Sequence, residues 1–164
     1  LTDAAINIEP DLETKRDIVQ NAIDVARALG IDRPRVAILS FIETVNPKLR
    51  STIEAAALCK MAERGQITGG VLDGPLAFDQ AVSREAAEVK GVRGEVAGRA
   101  DILVAPDLEA GNLLVKQLEH LAKAQTANVV AGARVPIALA GQADGSLARM
   151  ACCALALLMA RQRA

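Results

Sequence analysis

Apolar positions along this chain alternate between short continuous runs and a spacing of three or four residues. Residues 35–41 and 101–105 are nearly continuous apolar runs, a pattern typical of strands that are buried on both faces. Residues 12–29 and 113–122 instead carry apolar side chains at helical spacing, which predicts amphipathic helices. Strands that alternate with helices in this way predict an α/β fold, a three-layer αβα domain with a largely parallel sheet.

The same alternation continues through the rest of the chain. Further strands are predicted at residues 3–8, 68–73, 127–131 and 136–140, and further helices run from Asn46 to Gly65, from Asp79 to about Val89 and from Leu147 to about Arg161. The predicted inner face of the second helix consists of Leu49, Ile53, Ala56, Ala57 and Met61. The terminal helix is apolar nearly all round, so we expect other elements to cover it on both sides. Because the chain opens on a strand, we expect residues to be missing upstream.

The amino-acid composition argues against nucleic-acid binding and against a membrane-spanning segment. The 164 residues suffice for one domain and 51% are apolar, but the aromatic residues are limited to Phe41 and Phe78. The core is therefore aliphatic, and the base stacking that binds single-stranded nucleic acid is not expected. A net charge of −1 gives no electrostatic reason to bind nucleic acid or an anionic membrane surface. The longest apolar run, residues 150–160, is too short to span a bilayer.

The cysteines and the single histidine do not suggest a metal site. Cys59, Cys152 and Cys153 are odd in number and lack the spacing of metal ligands, and the adjacent pair is predicted to be small core residues. Free cysteines are typical of a reducing, cytoplasmic compartment. His120 on its own builds neither a His-rich metal site nor an obvious Ser-His-Asp triad.

Three polar loops follow predicted strands, at residues 73–79, 107–112 and 141–146. If these strands belong to one sheet, the loops surround a single cleft at its carboxyl edge. Glycines allow close backbone approach there, and the helix starts beyond them offer N–H groups to a phosphate, acyl phosphate or carboxylate. Arg134 could add a cation beside the third loop. The alternative is that the polar residues of the second loop merely cap the following helix and that Arg134 is an ordinary turn residue.

Three segments of the chain together resemble a known family. They are GPLAFDQAVSREAAEVKG, VAGRADILVAPDLEAGN and GARVPIALAGQADG, in this order. They are similar to the signature segments of the phosphate acetyltransferase / phosphate butyryltransferase family, and the likeness extends from the first strand to the last helix. The AGN ending, the ADG loop and the basic residue Arg134 favour the butyryltransferase branch.

The resemblance implies a reversible transfer of an acyl group between coenzyme A and inorganic phosphate, with coenzyme A as a substrate and no bound cofactor. The family has two αβα domains around a cleft, forms dimers and shares a fold superfamily with isocitrate and isopropylmalate dehydrogenases. Residues 1–164 would then be one domain plus closing elements of the other, as part of a longer two-domain protein. Some relatives carry an enoyl-CoA hydratase domain in front.

The resemblance also implies a set of site residues and one departure. Family members typically have Ser-Arg, associated with phosphate and coenzyme A contacts, where this chain has Gly141-Gln142, and the acetyltransferase branch has an Asp where this chain has Ala148. The charge-assisted hydrogen bonds that the family's arginine would make to phosphate are therefore lost. In addition, no general base can be assigned from the family. The residues expected to line the cleft are Gly74, Asp79, Asp107, Gly111, Asn112, Arg134, Gly141, Gln142 and Asp144.

The uncharged Gly141-Gln142 pair leaves a second function open. The chain could be a non-catalytic domain that senses acyl-coenzyme A or mediates assembly of a larger metabolic enzyme. A dehydrogenase relative is a weaker alternative, because the aspartates are spread over separate elements rather than clustered as metal ligands.

Overall fold

The computed structural model describes residues 1–142 and 145–162, and the predicted alternation of strands and helices is confirmed there. The helices are α1 (Leu12–Ala28), α2 (Arg50–Glu63), α3 (Phe78–Val82), α4 (Arg84–Val89), α5 (Leu108–His120) and α6 (Ser146–Gln162). The strands are β1 (Arg35–Leu39), β2 (Val71–Leu76), β3 (Ile102–Val104), β4 (Val129–Val130) and β5 (Ile137–Ala138).

The main sheet has the order β2-β1-β3, and β1 pairs in parallel with both neighbours. The carboxyl ends of these strands therefore lie at one edge of the sheet. Thr2 adds a parallel bridge beside Val104, since its N–H donates to the carbonyl of Leu103 at 2.9 Å. The prediction of a strand at residues 3–8 is wrong, because the Asp3 carboxylate accepts the following backbone N–H groups and folds this segment into a turn.

Helices cover both faces of the main sheet. On one face Val36 and Ile38 of β1 belong to a buried cluster with residues of α1 and α2. On the other face Ala37 and Leu39 are packed with Ala81 of α3 and with Val96. This alternation of strand residues confirms the three-layer αβα architecture.

Strands β4 and β5 form a separate antiparallel hairpin, so the expectation that the strand before the third loop belongs to the main sheet is wrong. Helix α6 packs against this hairpin and against α1. Apolar side chains of α6 remain exposed to solvent, since Leu147, Met150 and Leu157 are 58%, 64% and 56% exposed. The described residues therefore do not cover α6 on both sides, as had been expected. None of the helices within residues 1–142 and 145–162 is long and apolar enough to cross a membrane.

Two of the predicted helices differ from the observed ones, one in its buried face and one in its length. In α2 the buried residues are Thr52, Glu54, Ala55 and Leu58, and Ile53 of the predicted inner face is 45% exposed. The helix is turned because Glu54 forms a 2.5 Å ion pair with the buried Lys15 of α1. The single helix predicted to end near Val89 is two helices, because Ser83 has extended backbone and its hydroxyl caps α4.

Candidate functional site

Two of the three predicted polar loops lie at the carboxyl edge of the main sheet. One follows β2 and leads into α3, and the other follows β3 and leads into α5. The third loop is different, because residues 141–146 follow β5 of the separate hairpin. The expectation of three loops at the edge of one sheet is therefore wrong for the third loop. Asp144 of that loop lies outside the described residues.

The loop after β2 begins later than predicted. Gly74 is part of β2 and not of the turn that follows it. A Cβ atom at this position would lie 2.8 Å from the Cβ of Ile38 and 2.9 Å from its carbonyl oxygen. The absence of a side chain at Gly74 therefore allows β1 and β2 to approach each other closely.

A polar cluster follows the ends of β1 and β2. Asp79 is exposed; its Oδ1 accepts the N–H of Gln80 at 2.9 Å, and its Oδ2 lies 3.5 Å from Nζ of Lys90. The fully buried Gln80 accepts the N–H of Ala77 at 3.0 Å and donates to Oε2 of Glu43 at 3.0 Å. The predicted site included Asp79 but missed Gln80 and Glu43. For Glu43 the available signal was a carboxylate shortly after the apolar run of β1, whereas Gln80 had no such signal.

The residues after β3 have structural partners. Oδ1 of Asp107 accepts the N–H of Ala110 at 2.8 Å and caps α5, so the predicted cap is confirmed, and a binding role for Asp107 stays a prediction. Gly111 and Asn112 are not loop residues, because α5 already begins at Leu108. Asn112 Nδ2 donates to the carbonyl of Ala4 at 3.1 Å. These contacts hold the N-terminal segment, defined as residues 1–8, against the start of α5.

A hollow of about 710 Å³ lies between the N-terminal segment, α1, α5, the hairpin and α6. Asn112 and Gly141 both line it. They come from two of the segments that carry the family resemblance. Six other predicted site residues are not part of its wall, namely Gly74, Asp79, Asp107, Gly111, Arg134 and Gln142.

Two acidic side chains in the wall of the hollow, Asp3 and Asp101, are hydrogen-bonded to neighbouring groups. Asp101 accepts two hydrogen bonds of 2.8 Å from the guanidinium of Arg35, and this pairing lowers its pKa. Burial by itself would raise the pKa of Asp3, but hydrogen bonds from the backbone of Ala5, Ile6 and Asn7 outweigh it and lower the pKa. These carboxylates remain ionised near neutral pH and already have partners.

A cation lies beside the loop that lacks the expected arginine. Nη2 of Arg149, near the start of α6, donates to the carbonyl oxygen of Gln142 at 3.3 Å. The guanidinium therefore lies against the Gly141-Gln142 pair, next to the wall of the hollow. The sequence offered a signal for this residue, since Arg149 follows the loop by one turn of the predicted helix.

Two further kinds of chemistry find no support in the described part of the chain. No group of three or more His, Cys, Asp and Glu side chains there could hold a metal ion. Burial, together with the nearby charges of Asp73 and Glu63, raises the pKa of the Cys59 thiol to about 12. Cys59 is therefore protonated at neutral pH and is a poor nucleophile.

The sequence matches known proteins over nearly its whole length. A sequence model of the family described as "Phosphate acetyl/butaryl transferase" matches residues 1–157. A phosphate acetyltransferase of Rhizobium meliloti is 65% identical over 163 residues, which are 99% of this chain and 52% of that protein. A probable phosphate butyryltransferase of Bacillus subtilis is 52% identical over 157 residues, covering 96% of this chain and 52% of that protein.

A solved structure matches as well. The crystal structure of a branched-chain phosphotransacylase from Enterococcus faecalis V583 superposes with a TM-score of 0.86 at 34% identity, covering 96% of this chain and 56% of that chain. The chain thus spans about half the length of the curated relatives it matches.

Proposed function

The chain belongs to the phosphate acetyl/butyryl transferase family, and on this basis we propose that it forms part of an enzyme that transfers an acetyl or butyryl group reversibly between coenzyme A and inorganic phosphate. The observation that carries the proposal is that Asn112 and Gly141, from two separate family-like segments, line one hollow of about 710 Å³. Relatives with the acetyl and with the butyryl name both align over nearly the whole chain, so both acyl groups belong in the test.

The proposed reaction needs positioning more than covalent help from the protein. A coenzyme A thiolate attacks the carbonyl carbon of the acyl phosphate, the C–O bond to phosphate breaks, and inorganic phosphate leaves with the electron pair. Oriented N–H and cationic groups that hold the phosphate and polarise the carbonyl lower the barrier of such a transfer. In this chain the amide of Asn112 and the guanidinium of Arg149 are the groups that we assign to these tasks.

The experiment that tests the proposed function measures coenzyme A-dependent release of phosphate from acetyl phosphate and from butyryl phosphate by the full-length protein. Turnover of either substrate supports the transferase, and omission of coenzyme A is the control. Binding of acyl-coenzyme A without turnover, measured by calorimetry, would instead support the sensing or assembly domain. The uncharged Gly141-Gln142 pair is the observation that favours this second candidate.

Arg149 is proposed to supply the positive charge that Gln142 lacks. We expect Arg149→Gln to raise the KM for phosphate about tenfold, because a charge-assisted hydrogen bond of about 1.4 kcal/mol corresponds to that factor. Steady-state kinetics in the direction of acyl phosphate synthesis measure the change. Arg161→Gln, at the far end of the same helix, is the control and should leave the KM unchanged.

The same kinetics test whether the Gly141-Gln142 loop faces the phosphate. Restoring Ser-Arg in the double variant Gly141→Ser, Gln142→Arg should lower the KM for phosphate and offset part of the effect of Arg149→Gln. An unchanged KM in Arg149→Gln, in the Ser-Arg double variant and in their combination would exclude the loop and Arg149 from the phosphate site.

We also propose that the hairpin and α6 are closing elements of a second domain. Exposed apolar residues on these elements support this, among them Ile137 at 48%, Met150 at 64% and Leu157 at 56%. A chain of about twice this length, as in the relatives, would supply a surface to cover them. A homodimer, an upstream enoyl-CoA hydratase domain and a cytoplasmic setting remain parts of the proposal. Measuring the molecular mass of the native protein tests whether it forms a homodimer and whether it carries the upstream domain.

A further inference from the structure

Strand β3 has an outer edge, which faces away from β1 because β3 is the last strand in the order β2-β1-β3. On that edge the N–H of Thr2 donates to the carbonyl of Leu103 at 2.9 Å, and the N–H of Ala105 donates to the carbonyl of Thr2 at 2.6 Å. The two bonds form a parallel bridge between Thr2 and Val104. The N-terminal segment therefore begins like the last residues of a strand that runs parallel to β3.

The backbone before Thr2 is directed into the hollow. Because the bridge is parallel, the chain before Thr2 runs back along β3 toward the amino end of that strand. Leu1, Asp101 and Ile102 all line the hollow of about 710 Å³. Burial lowers the pKa of the amino group of Leu1, in agreement with a backbone nitrogen that lies inside the hollow. Any residue that precedes Leu1 therefore enters the hollow beside β3.

Two helices bound this part of the hollow, one on each face of the sheet. Helix α1 packs on the face that carries Val36, and Leu114 of α5 packs on the face that carries Ala37. Both helices also present apolar side chains to the hollow, namely Ile18, Ala22 and Val25 of α1 and Val115 of α5. We call the part of the hollow between α1, α5 and the outer edge of β3 the edge slot. Its walls are those of a strand position inside an αβα sandwich.

We propose that the edge slot holds a fourth strand of the main sheet, parallel to β3, formed by the residues that directly precede Leu1 in the longer protein. A protein as long as the relatives, which are about twice the length of this chain, has residues to supply it. The strand would pair with the outer edge of β3, and an edge strand that is left unpaired is open to unwanted pairing with other chains. This inference goes beyond the proposed function and does not rest on it.

The walls of the edge slot indicate the kind of segment that fits. A parallel strand that is covered by helices on both faces is a nearly continuous apolar run, as β1 and β3 are. We therefore expect aliphatic residues directly before Leu1. Because a strand rises about 3.3 Å per residue, about three to five residues suffice to reach the amino end of β3.

The fourth strand leaves one end of the hollow open for the proposed substrate. Asn112 lies near the start of α5, which follows the carboxyl end of β3, whereas the strand extends from Thr2 toward the amino end. The strand would also anchor the turn after Thr2, in which the carbonyl of Ala4 accepts the 3.1 Å hydrogen bond from Asn112. It would thereby fix one wall of the proposed site to the sheet.

Hydrogen exchange of the unaltered full-length protein tests the proposal. We expect the backbone amides directly before Leu1 to exchange at least about 100-fold more slowly than those of an unstructured peptide. The amides of β1 serve as the internal reference for a buried strand. Exchange before Leu1 within about threefold of the unstructured rate would overturn the fourth strand.

Ala22→Trp in the full-length protein tests whether the strand lies in the edge slot. The indole would extend from α1 into the slot and displace a strand that occupies it. We therefore expect the amides before Leu1 to exchange at least about tenfold faster than in the unaltered protein, while β1 stays protected. Asp24→Trp, at an exposed position of the same helix, is the matched control and should change neither rate. If Ala22→Trp also exposes β1, the smaller substitution Ala22→Leu replaces it.

The outcomes separate the fourth strand from other occupants of the slot. Amides before Leu1 that stay protected in the Ala22 variants would mean that this segment folds outside the slot, which overturns the proposal. Protection that disappears on dilution of the protein would assign the slot to a second copy of the chain and overturn it as well. Neither measurement requires turnover, so a negative result leaves the proposed acyl transfer untouched.

Discussion

Glu54→Ala should lower the free energy of unfolding by about 3–5 kcal/mol, because it leaves the ammonium of Lys15 buried without a counter-charge. The two side chains are 7% and 10% exposed and are joined by an ion pair of 2.5 Å between Nζ and Oε2. Glu54 also accepts a 2.6 Å hydrogen bond from Nε of Arg50. The change therefore removes the polar link between α1 and α2. Urea unfolding followed by circular dichroism measures the loss.

Two controls isolate the buried charge as the cause. Glu63→Ala removes a carboxylate from an exposed pair with Lys60 on the same helix and should cost less than about 1 kcal/mol. The double variant Lys15→Met, Glu54→Leu removes both charges and should recover most of the stability lost in Glu54→Ala. A double variant that is as unstable as Glu54→Ala would contradict this explanation.

Gly111→Ala should also destabilise the protein, by about 1–3 kcal/mol, although alanine normally favours a helix over glycine by about 1 kcal/mol. A Cβ atom at this position would lie 2.3 Å from the carbonyl oxygen of Asp3 and 3.1 Å from Cβ of Ala105. Since the oxygen belongs to the backbone, the N-terminal segment must move away from α5. Unfolding midpoints and the rate of proteolysis within residues 1–8 measure the two consequences.

Gly145→Ala is the matched control for this prediction. A Cβ atom there would meet nothing within 4 Å, so the variant should neither unfold earlier nor be cut faster. A stabilised Gly111→Ala protein would mean that the N-terminal segment does not lie against α5. The expected displacement would also break the hydrogen bond between Asn112 and Ala4, so it tests the assigned wall of the hollow.

Local signals in the sequence predicted the elements whose ends depend on neighbouring residues. Helix α1 was predicted at residues 12–29 and spans Leu12–Ala28, because Asp11 accepts the N–H of Thr14 at its start and Gly30 has a φ of +88° after its end. The runs of β1 and β3 were equally clear, since continuous aliphatic residues must be buried on both faces.

Part of the candidate site was predictable and part was not. The segments containing Asp79, Asp107 and Asn112 were identified from polar residues after strands, and two of the three loops do lie at one sheet edge. Gln80 could not be recognised, because its importance arises from bonds to Glu43, 37 positions away in sequence. Arg149 follows the third loop closely in the sequence, but its contact with the carbonyl of Gln142 is visible only in the structure.

The sequence by itself determined the αβα alternation, the parallel pairing that follows from it and the family, because these depend on periodicity and on contiguous motifs. The tertiary structure decided which polar groups are buried and what they contact. The ion pair between Glu54 and Lys15, 39 positions away in sequence, sets which face of α2 is buried. Strands β4 and β5 pair with each other in a sheet separate from the main one. Such choices depend on distant partners, because a buried polar atom must be satisfied by whatever the fold brings next to it.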